Sequence, residues 1–446
     1  MTRSLAGLRA VIEDRGAKVG VIGLGYVGLP AACLLADARF DVAGVDLKAD
    51  RVELINKGIS PIEGEEPGLA ELIHGVVSAG RLHASTAYED LAGADVVLIC
   101  VETPVDADHR PRFAALKAVC AQLGRVLQDG VLVIVESTIA PGTIDAVVRP
   151  ALEASSGKKA GTGFHIGHCP ERVMPGKLLS NMRTVSRVCG GSSPEVAQTM
   201  VALYSSYVGG ELDAADCLTA ELVKTAENAY RDVNIAFANQ LALICEQVGG
   251  DVWRVRELVN KVPGRSVLLP GGGVGGHCIP KDSWLLAASL GEAADNSLLG
   301  VARDVNDGMP DHVAALVNEL APPPDGARVA VLGFSYLENS DDTRNSPSEV
   351  LASRLRAMGY EVLIHDPFVE TYRGEVDDAL TGSDCAVLMV AHSAYRQLDL
   401  AAAARLMRHP RLVDARGFFR RPELQAAGFD YRVIGVAPSA GSSAAR

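Results

Sequence analysis

The run Lys18–Ile22 ends in Gly-Leu-Gly-Tyr-Val-Gly, and this junction constrains the fold more than any other part of the chain. A short strand that gives way to closely spaced glycines and then to the helix-forming stretch Ala31–Ala38 predicts a strand–turn–helix unit. Asp41–Val45 reads as the unit's second strand, closed by Asp46. The alternation continues through Asp95–Val101, a helix near Phe113–Leu127 and Val131–Val135. Strands alternating with helices build a parallel sheet covered on both faces.

Gly23, Gly25 and Gly28 form G-x-G-x-x-G in the context that gives the pattern meaning. The first allows a tight turn, the second lets backbone approach a pyrophosphate, and the third lets helix and strand pack closely. The loop then offers Gly23, Gly25, Tyr26, Val27 and Gly28 to a dinucleotide, with the helix N-terminus facing its phosphates. Asp46 lies 23 residues after Gly23, where a carboxylate accepts hydrogen bonds from ribose hydroxyls and repels a 2′-phosphate. The expected cofactor is therefore NAD rather than NADP. Lys48 and Arg51 lie close in sequence, and Arg51 joins the candidate contacts. Thr103 in VETP and Thr138 in ESTIAPGT follow later strands, at the sheet's carboxyl end where ligands of such folds bind. Ordinary turn capping is the competing reading for both threonines.

The pattern changes near residue 213. From Asp213 to Gly249 the sequence keeps helical periodicity without proline, with an apolar stripe at Leu218, Leu222, Ala226, Tyr230, Val233, Phe237, Leu241, Ile244 and Val248. Asp213 or Asp216 would cap its start and Gly249-Gly250 would end it. A helix this long joins domains or carries an oligomer interface, unless it is simply a core helix. Residues 321–327, APPPDGA, read as a linker. Arg328–Leu332, Pro347–Met358, Glu361–His365, Ala386–Val390 and Leu412–Asp414 then restart the strand and helix alternation. The expected fold is α/β: two Rossmann-like domains joined by a long central helix and a helical middle domain. Its parts are residues 1–212, 213–320 and 321–446, with GSSAAR at the end as a tail.

The net charge of −13 argues against nucleic acid or anionic membrane as the main partner. No apolar run has transmembrane length, and Glu13 and Asp14 interrupt the N-terminal stretch where a signal peptide would be apolar. The expected location is the cytoplasm. Nine scattered cysteines, several in apolar strands, read as reduced thiols.

One cysteine stands apart. Cys278 follows five glycines within Gly271–Gly276 and precedes Ile-Pro-Lys-Asp. The glycines would let backbone approach a ligand closely. The segment Lys281–Leu290 looks helical, so Cys278 would sit before a helix N-terminus, a position that favours the nucleophilic thiolate. A buried structural thiol is the usual alternative. In ELVKTAENAY, Lys224 and Asn228 share a helix face at i, i+4, beside Leu222 and Ala226. An ammonium and an amide on one face can stabilise an oxyanion, although a solvated lysine is commoner. HIGHC, with His165, His168 and Cys169, has the look of metal ligands, but no completing set is evident and no metal is expected.

GLGYVG, EST, CPER, K-x-x-x-N on a long helix and GGHCIPKD occur in an order and spacing that resemble the UDP-glucose/GDP-mannose dehydrogenase family over roughly residues 18–436. The resemblance implies NAD in the N-terminal domain, a nucleoside diphosphate sugar bound between the middle and C-terminal domains, and two oxidations through a thiohemiacetal and a thioester on Cys278. It implies oxyanion stabilisation by Lys224 and Asn228, an acid at Asp282 that positions Lys224 or a water, and a water-binding pair at Thr138 and Glu171. Together, Cys278, Lys224, Asn228 and Asp282 argue against a catalytically silent sugar-nucleotide sensor.

CPERVMPG and NAYRDVNIAFANQLALIC resemble the members that act on UDP-N-acetylmannosamine, with UDP-N-acetylglucosamine or UDP-glucose as the alternative substrate. Arg172 replaces an aromatic residue and Pro175 a second glutamate of the UDP-glucose enzymes. The implied substrate contacts are Glu171, Arg172, Val173, Lys224, Asn228, Arg231, Asn234, Gly275 and His277. Arg265 resembles an arginine that reaches a neighbouring subunit, and Arg344 in SDDTRNSP is the best uridine-diphosphate ligand, with Arg416 a weaker one. The family's usual lysine is missing from Ser335-Tyr336-Leu337. The C-terminal domain keeps only Gly333 of a glycine fingerprint and is not expected to bind a dinucleotide. The expected assembly is a homodimer or a larger homo-oligomer.

Overall fold

The computed structural model describes residues 4–62, 64, 66–323 and 327–437. The expected tail at 441–446 and residues 324–326 of the expected linker lie outside them. Two compact units form: residues 1–227 with 284–289, and residues 228–283 with 290–446. The division between these units falls inside the long helix.

Among the described residues the first unit holds eight strands: β1 (Lys18–Ile22), β2 (Asp41–Val45), β3 (Leu82–Ser85), β4 (Val96–Ile99), β5 (Val131–Val135), β6 (Phe164–His168), β7 (Arg187–Gly191) and β8 (Leu212–Asp216). Their order is β3-β2-β1-β4-β5-β6-β7-β8, parallel throughout except at β6/β7. Every residue of Val131–Val135 is buried, as a strand covered on both faces requires. Two apolar clusters, one around Val21, Leu34 and Ile134 and one around Ile22, Ile99 and Val133, follow the alternation of side chains in β1, β4 and β5. The chain reverses direction in the strand order between β1 and β4, which opens a ligand crevice at their carboxyl ends.

The second unit holds β9 (Arg328–Leu332), β10 (Glu361–His365), β11 (Cys385–Leu388), β12 (Arg411–Asp414) and β13 (Asp430–Val433), in the order β10-β9-β11-β12-β13 and all parallel. Gly333 turns the chain after β9 with φ +93°, as Gly23 does after β1 with φ +88°. Asp366 closes β10 as Asp46 closes β2. The carboxylate of Asp366 is fully engaged: it accepts from Phe334, Ser335, Phe368 and Val369 N–H and from His392 Nε2 at 2.7–3.1 Å. Its acceptor capacity is spent within the unit.

The long helix spans Cys217–Val248, 32 residues or about 48 Å. Asp213 belongs to β8 rather than to the helix, because residues 212–216 pair with β7. Asp216 caps the helix, its carboxylate accepting from the Thr219 N–H at 2.8 Å and hydroxyl at 2.7 Å. Gly249 ends it at φ +84°. The apolar stripe reads inside out. Leu218, Leu222, Ala226, Tyr230, Phe237, Ile244 and Val248 are exposed, Tyr230 at 73% and Val248 at 74%. The buried face carries Glu221, Lys224, Thr225, Ala229, Asp232, Ala236, Asn239 and Ala242. Small and hydrogen-bonding residues let other segments approach that face closely, so Leu222 and Ala226 do not share the environment of Lys224.

Candidate active site

The turn after β1 has the geometry a dinucleotide needs. A Cβ on Gly23 would fall 2.3 Å from the Cys100 carbonyl oxygen, and one on Gly28 would fall 1.9 Å from that of Gly23, so neither position tolerates a side chain. A Cβ on Gly25 would meet only the Arg51 guanidinium, at 3.9 Å, which leaves its backbone face open. The helix Gly28–Asp37 starts at Val27 with no side chain capping it, so its N-terminal dipole is available to phosphate. Asp46 accepts from Leu24 N–H at 2.8 Å, Lys48 N–H at 2.9 Å and Arg51 at 3.1 Å. These bonds fix its carboxylate at the end of β2, beside the turn. Tyr26 bonds through its hydroxyl to Glu66, which also accepts from the N–H groups of Gly176 and Leu178 at 2.9 and 3.1 Å.

Two strand-end loops are laced together at the same edge. Thr103 Oγ1 donates to the Thr138 carbonyl at 2.5 Å, and Ser137 Oγ accepts from Val101 N–H at 2.8 Å and donates to its carbonyl at 2.6 Å. Glu221, from the first turns of the long helix, accepts from Gly142 N–H at 2.6 Å and Ile144 N–H at 2.8 Å. Burial pushes the Glu221 carboxyl up to about 7; the two N–H bonds oppose this, and Asp145 and Asp216 add to it. Glu171 is buried and accepts from the N–H of Val173 at 2.6 Å. Arg172 turns to protein partners: it pairs with Glu227 on the long helix and donates to the Ser186 carbonyl at 2.6 Å. Its guanidinium braces the loop that holds Glu171.

Lys224 is 6% exposed and has no hydrogen bond or ion pair among the described residues of its unit. A buried, unpaired ammonium is a costly group that an incoming anionic oxygen would satisfy. Asn228, one turn further, belongs to the second unit and donates to Asp282 Oδ2 at 2.5 Å. Asp282 Oδ1 is buried without a hydrogen-bond partner; the Lys281 ammonium lies 3.2 Å away but out of line for one. Cys278 immediately precedes the helix Ile279–Ala287, and its carbonyl accepts the first helical bond from Asp282 N–H at 2.9 Å. Its side chain is exposed. None of the nine cysteines forms a disulfide; seven are buried and Cys100 is half-buried.

The glycines before Cys278 face protein rather than open space. A Cβ on Gly275 would fall 2.6 Å from Tyr336 Cβ, one on Gly276 2.8 Å from the Tyr336 ring, and one on Gly272 2.8 Å from Met389. Gly276 N–H donates to the Arg344 carbonyl at 2.9 Å and Asn345 Nδ2 to the Gly276 carbonyl at 3.1 Å. The Cys278 segment is thereby seated on the loop after β9. Tyr336 and Arg344 lie within electrostatic reach of Cys278. Burial, aided by Asp342 and opposed by Arg344, pushes the Tyr336 phenol up to about 12, so it remains a donor. Arg344 itself is paired to Asp342, and Arg416 lies 3.4 Å from Glu338. A small cavity at the carboxyl ends of β9, β11 and β12 is lined by Gly272, Ser335, Tyr336, Ser348, Met389 and Arg416. His277 is half-buried, and Arg231 and Arg265 are exposed. The Asn234 amide donates to the Tyr230 carbonyl at 2.6 Å.

Three family models match in chain order. They are the NAD-binding domain of the UDP-glucose/GDP-mannose dehydrogenase family over residues 17–208, its central domain over 218–308 and its UDP-binding domain over 330–421. The chain belongs to that family. It is 37% identical to a UDP-N-acetyl-D-mannosamine dehydrogenase of Pyrococcus horikoshii, covering 94% of this chain and 99% of that one. A solved structure of the enzyme from that organism superposes with a TM-score of 0.88 at 36% identity, covering 94% and 99% of the two chains. An NDP-N-acetyl-D-galactosaminuronic acid dehydrogenase from Methanosarcina mazei superposes at 0.85 and 37%, covering 98% of each.

As a member of this family the protein is an NAD-dependent nucleotide-sugar dehydrogenase. The open Gly25 face, the uncapped helix and the fixed Asp46 fit that cofactor. Several residues that build the site escaped sequence reasoning: Glu66, Glu221, Tyr336 and a buried group around Asp232. Arg187 and Glu136 were missed too; they pair at 3.4 Å with both side chains buried, and Tyr204 donates to Glu136 at 2.6 Å. Glu136 lies in EST, Glu221 opens ELVKTAENAY and Asp232 lies in NAYRDVNIAFANQLALIC, but no local spacing points to the contacts these residues make, because their partners are tens of residues away. Among the described residues no three metal-capable side chains come together. His168 is buried with Nδ1 2.8 Å from the Val135 carbonyl, which accounts for one of the HIGHC residues structurally. No helix among the described residues is long and apolar enough to cross a membrane.

Proposed function

We propose that the enzyme oxidises the C6 alcohol of UDP-N-acetyl-D-mannosamine to the uronic acid, with Cys278 carrying the carbon between two oxidations. The observation that carries this reading is an exposed thiol at a helix start, one turn from an Asp282 carboxylate that Asn228 holds. Loss of a proton and a hydride from the alcohol gives an aldehyde. The Cys278 sulfur adds to it, forming a thiohemiacetal, and loss of a second hydride leaves a thioester. Water then attacks, releasing the carboxylate and the thiolate. NAD, held by the turn after β1, would supply the hydride acceptor for each oxidation, so two would be reduced per acid.

Lys224 and Asn228 stabilise the oxyanions of both tetrahedral species. Oδ1 of Asp282, 3.2 Å from the Lys281 ammonium and without a hydrogen bond, orients a water or receives a proton. Thr138 and Glu171 hold the hydrolytic water. Gly23, Gly25, Tyr26, Val27, Gly28, Asp46, Arg51 and Thr103 form the cofactor cleft, while Val173, Arg231, Asn234, Gly275, His277, Arg344 and Arg416 serve the sugar nucleotide. Arg172 contributes by bracing Glu171. Arg265, exposed, serves a partner subunit's site.

CPERVMPG and the relatives named for UDP-N-acetyl-D-mannosamine support the substrate. A second reading, an N-acetylated galactosamine nucleotide, has support from relatives at nearly the same identity, among them one from Ralstonia nicotianae. The exposed apolar stripe of the long helix supports a homodimer, and a soluble sugar-nucleotide substrate is consistent with a cytoplasmic enzyme. The test is to offer the UDP forms of N-acetylmannosamine, N-acetylgalactosamine, N-acetylglucosamine and glucose with NAD, counting NADH per acid formed. The expected result is preferred turnover of the first with two NADH per acid. No turnover with any of them overturns the reading, and one NADH per product overturns the double oxidation.

A further inference from the structure

A buried polar network in the second unit grips the segment that presents Cys278. Three side chains on one face of the long helix reach it. Asn239 Oδ1 accepts from Gly271 N–H at 2.9 Å, Asn228 donates to Asp282 at 2.5 Å, and Asp232 Oδ2 accepts from the Ser283 hydroxyl at 2.7 Å. The bonds at Gly271 and Ser283 bracket the reactive thiol on both sides.

Asp232 is the hub of this network. It is wholly buried, and its Oδ1 accepts from Arg303 Nη1 and from Asn306 Nδ2, both at 2.7 Å. Asn306 Nδ2 also donates to the Asp232 carbonyl at 3.1 Å, and its Oδ1 accepts from Asn239 at 2.9 Å. Arg303, 1% exposed, donates its other terminal nitrogen to Asp307. A carboxylate removed from water and tied by three side-chain donors has one orientation, and a hydroxyl bonded to it inherits that orientation. Ser283 is 1% exposed and lies directly after Asp282. Its bond therefore sets the roll of the helix Ile279–Ala287 about its own axis, and with it the directions of Asp282 and Cys278.

We infer that Asp232 and Ser283 are positioning residues for the reaction: the Arg303–Asp232 pair aims the Cys278 helix through the Ser283 hydroxyl. This rests on the catalytic reading of Cys278 given above, and neither residue touches substrate. Nothing in the reaction chemistry requires a serine at 283. Its contribution is a fixed direction for the thiol, of the kind catalytic geometry demands within fractions of an ångström.

The experiment compares Ser283→Ala with the parent enzyme in three measurements on the full chain. These are the rate of Cys278 alkylation by iodoacetamide per folded molecule, kcat and KM for each substrate, and the thermal midpoint. Mass mapping of the alkylated peptide identifies the thiol. The expected result is an alkylation rate changed at least threefold and kcat lowered about tenfold, with both KM values within twofold and the midpoint nearly unchanged. Alkylation and kcat within twofold of the parent overturn the inference, as does a fall in kcat matched by an equal loss of folded protein. Failure of the catalytic reading looks different, because Cys278→Ser would then still make acid while Ser283→Ala still altered alkylation.

Discussion

Asn228 Nδ2 donates to Asp282 Oδ2 at 2.5 Å, while Oδ1 of the same carboxylate is buried without a hydrogen-bond partner. One oxygen is committed to holding the amide, and the other, 3.2 Å from the Lys281 ammonium, makes no hydrogen bond. A buried acceptor left open in this way is expensive unless a ligand or water fills it. On the proposed mechanism Asn228→Ala would remove an oxyanion donor, and it would free the Asp282 carboxylate to rotate. We expect kcat to fall about 10²–10³-fold, with a smaller change in the KM for the sugar nucleotide. Steady-state kinetics check this; a change confined to KM contradicts the assignment.

Asp46 accepts from the Leu24 N–H and from Arg51, which fixes a negative charge beside the dinucleotide turn. On the proposed reading Asp46 accepts ribose hydroxyls, so Asp46→Ala would remove that acceptor and leave Arg51 free to meet a 2′-phosphate. Loss of one charged hydrogen bond, worth about 1.5–3 kcal/mol, predicts at least a tenfold higher KM for NAD and a smaller preference for NAD over NADP. Kinetics with both cofactors give the ratio.

Glu221 predicts a pH dependence of stability. Burial raises its folded carboxyl from the ordinary 4.5 to about 7. The folded state therefore binds more protons than the unfolded chain between these values. Its contribution is fully present below pH 4.5 and is lost as pH rises through 7. The wild type should lose on the order of 3 kcal/mol relative to Glu221→Gln across that window, at about 1.4 kcal/mol for each pH unit it spans. Denaturant unfolding of both proteins from pH 4.5 to about 8 reads the difference; parallel curves contradict it.

The long helix presents Tyr230 at 73% and Phe237 at 57% exposure. Large apolar side chains repeated along one face are the usual material of an interface. The double variant Tyr230→Glu/Phe237→Glu should sediment as a monomer at concentrations where the wild type is a dimer. A wild type that is monomeric at every concentration removes the homodimer from the account.

Strands with local signatures were legible in sequence: Lys18–Ile22, Asp41–Val45, Val131–Val135 and Glu361–His365 have the predicted bounds. Their β-branched runs, bounded by turn residues, leave little choice. The long helix was legible as a helix but not in its orientation. Periodicity distinguishes its two faces without saying which is covered, and here alanines and polar side chains form the covered one. Gly271–Gly276 were read as space for a ligand, whereas several of them make room for Tyr336 and Met389. Asp232 and Arg303 were invisible because a carboxylate in mid-helix has no local pattern that names a guanidinium 71 residues away.

The central claim is a covalent passage through sulfur, and acid formation by Cys278→Ser tests it most directly. The account predicts that the variant still binds the sugar nucleotide while uronic acid production from UDP-N-acetyl-D-mannosamine and NAD falls by about 10³-fold or more. Acid formed at the wild-type rate, with two NADH per molecule, would contradict it.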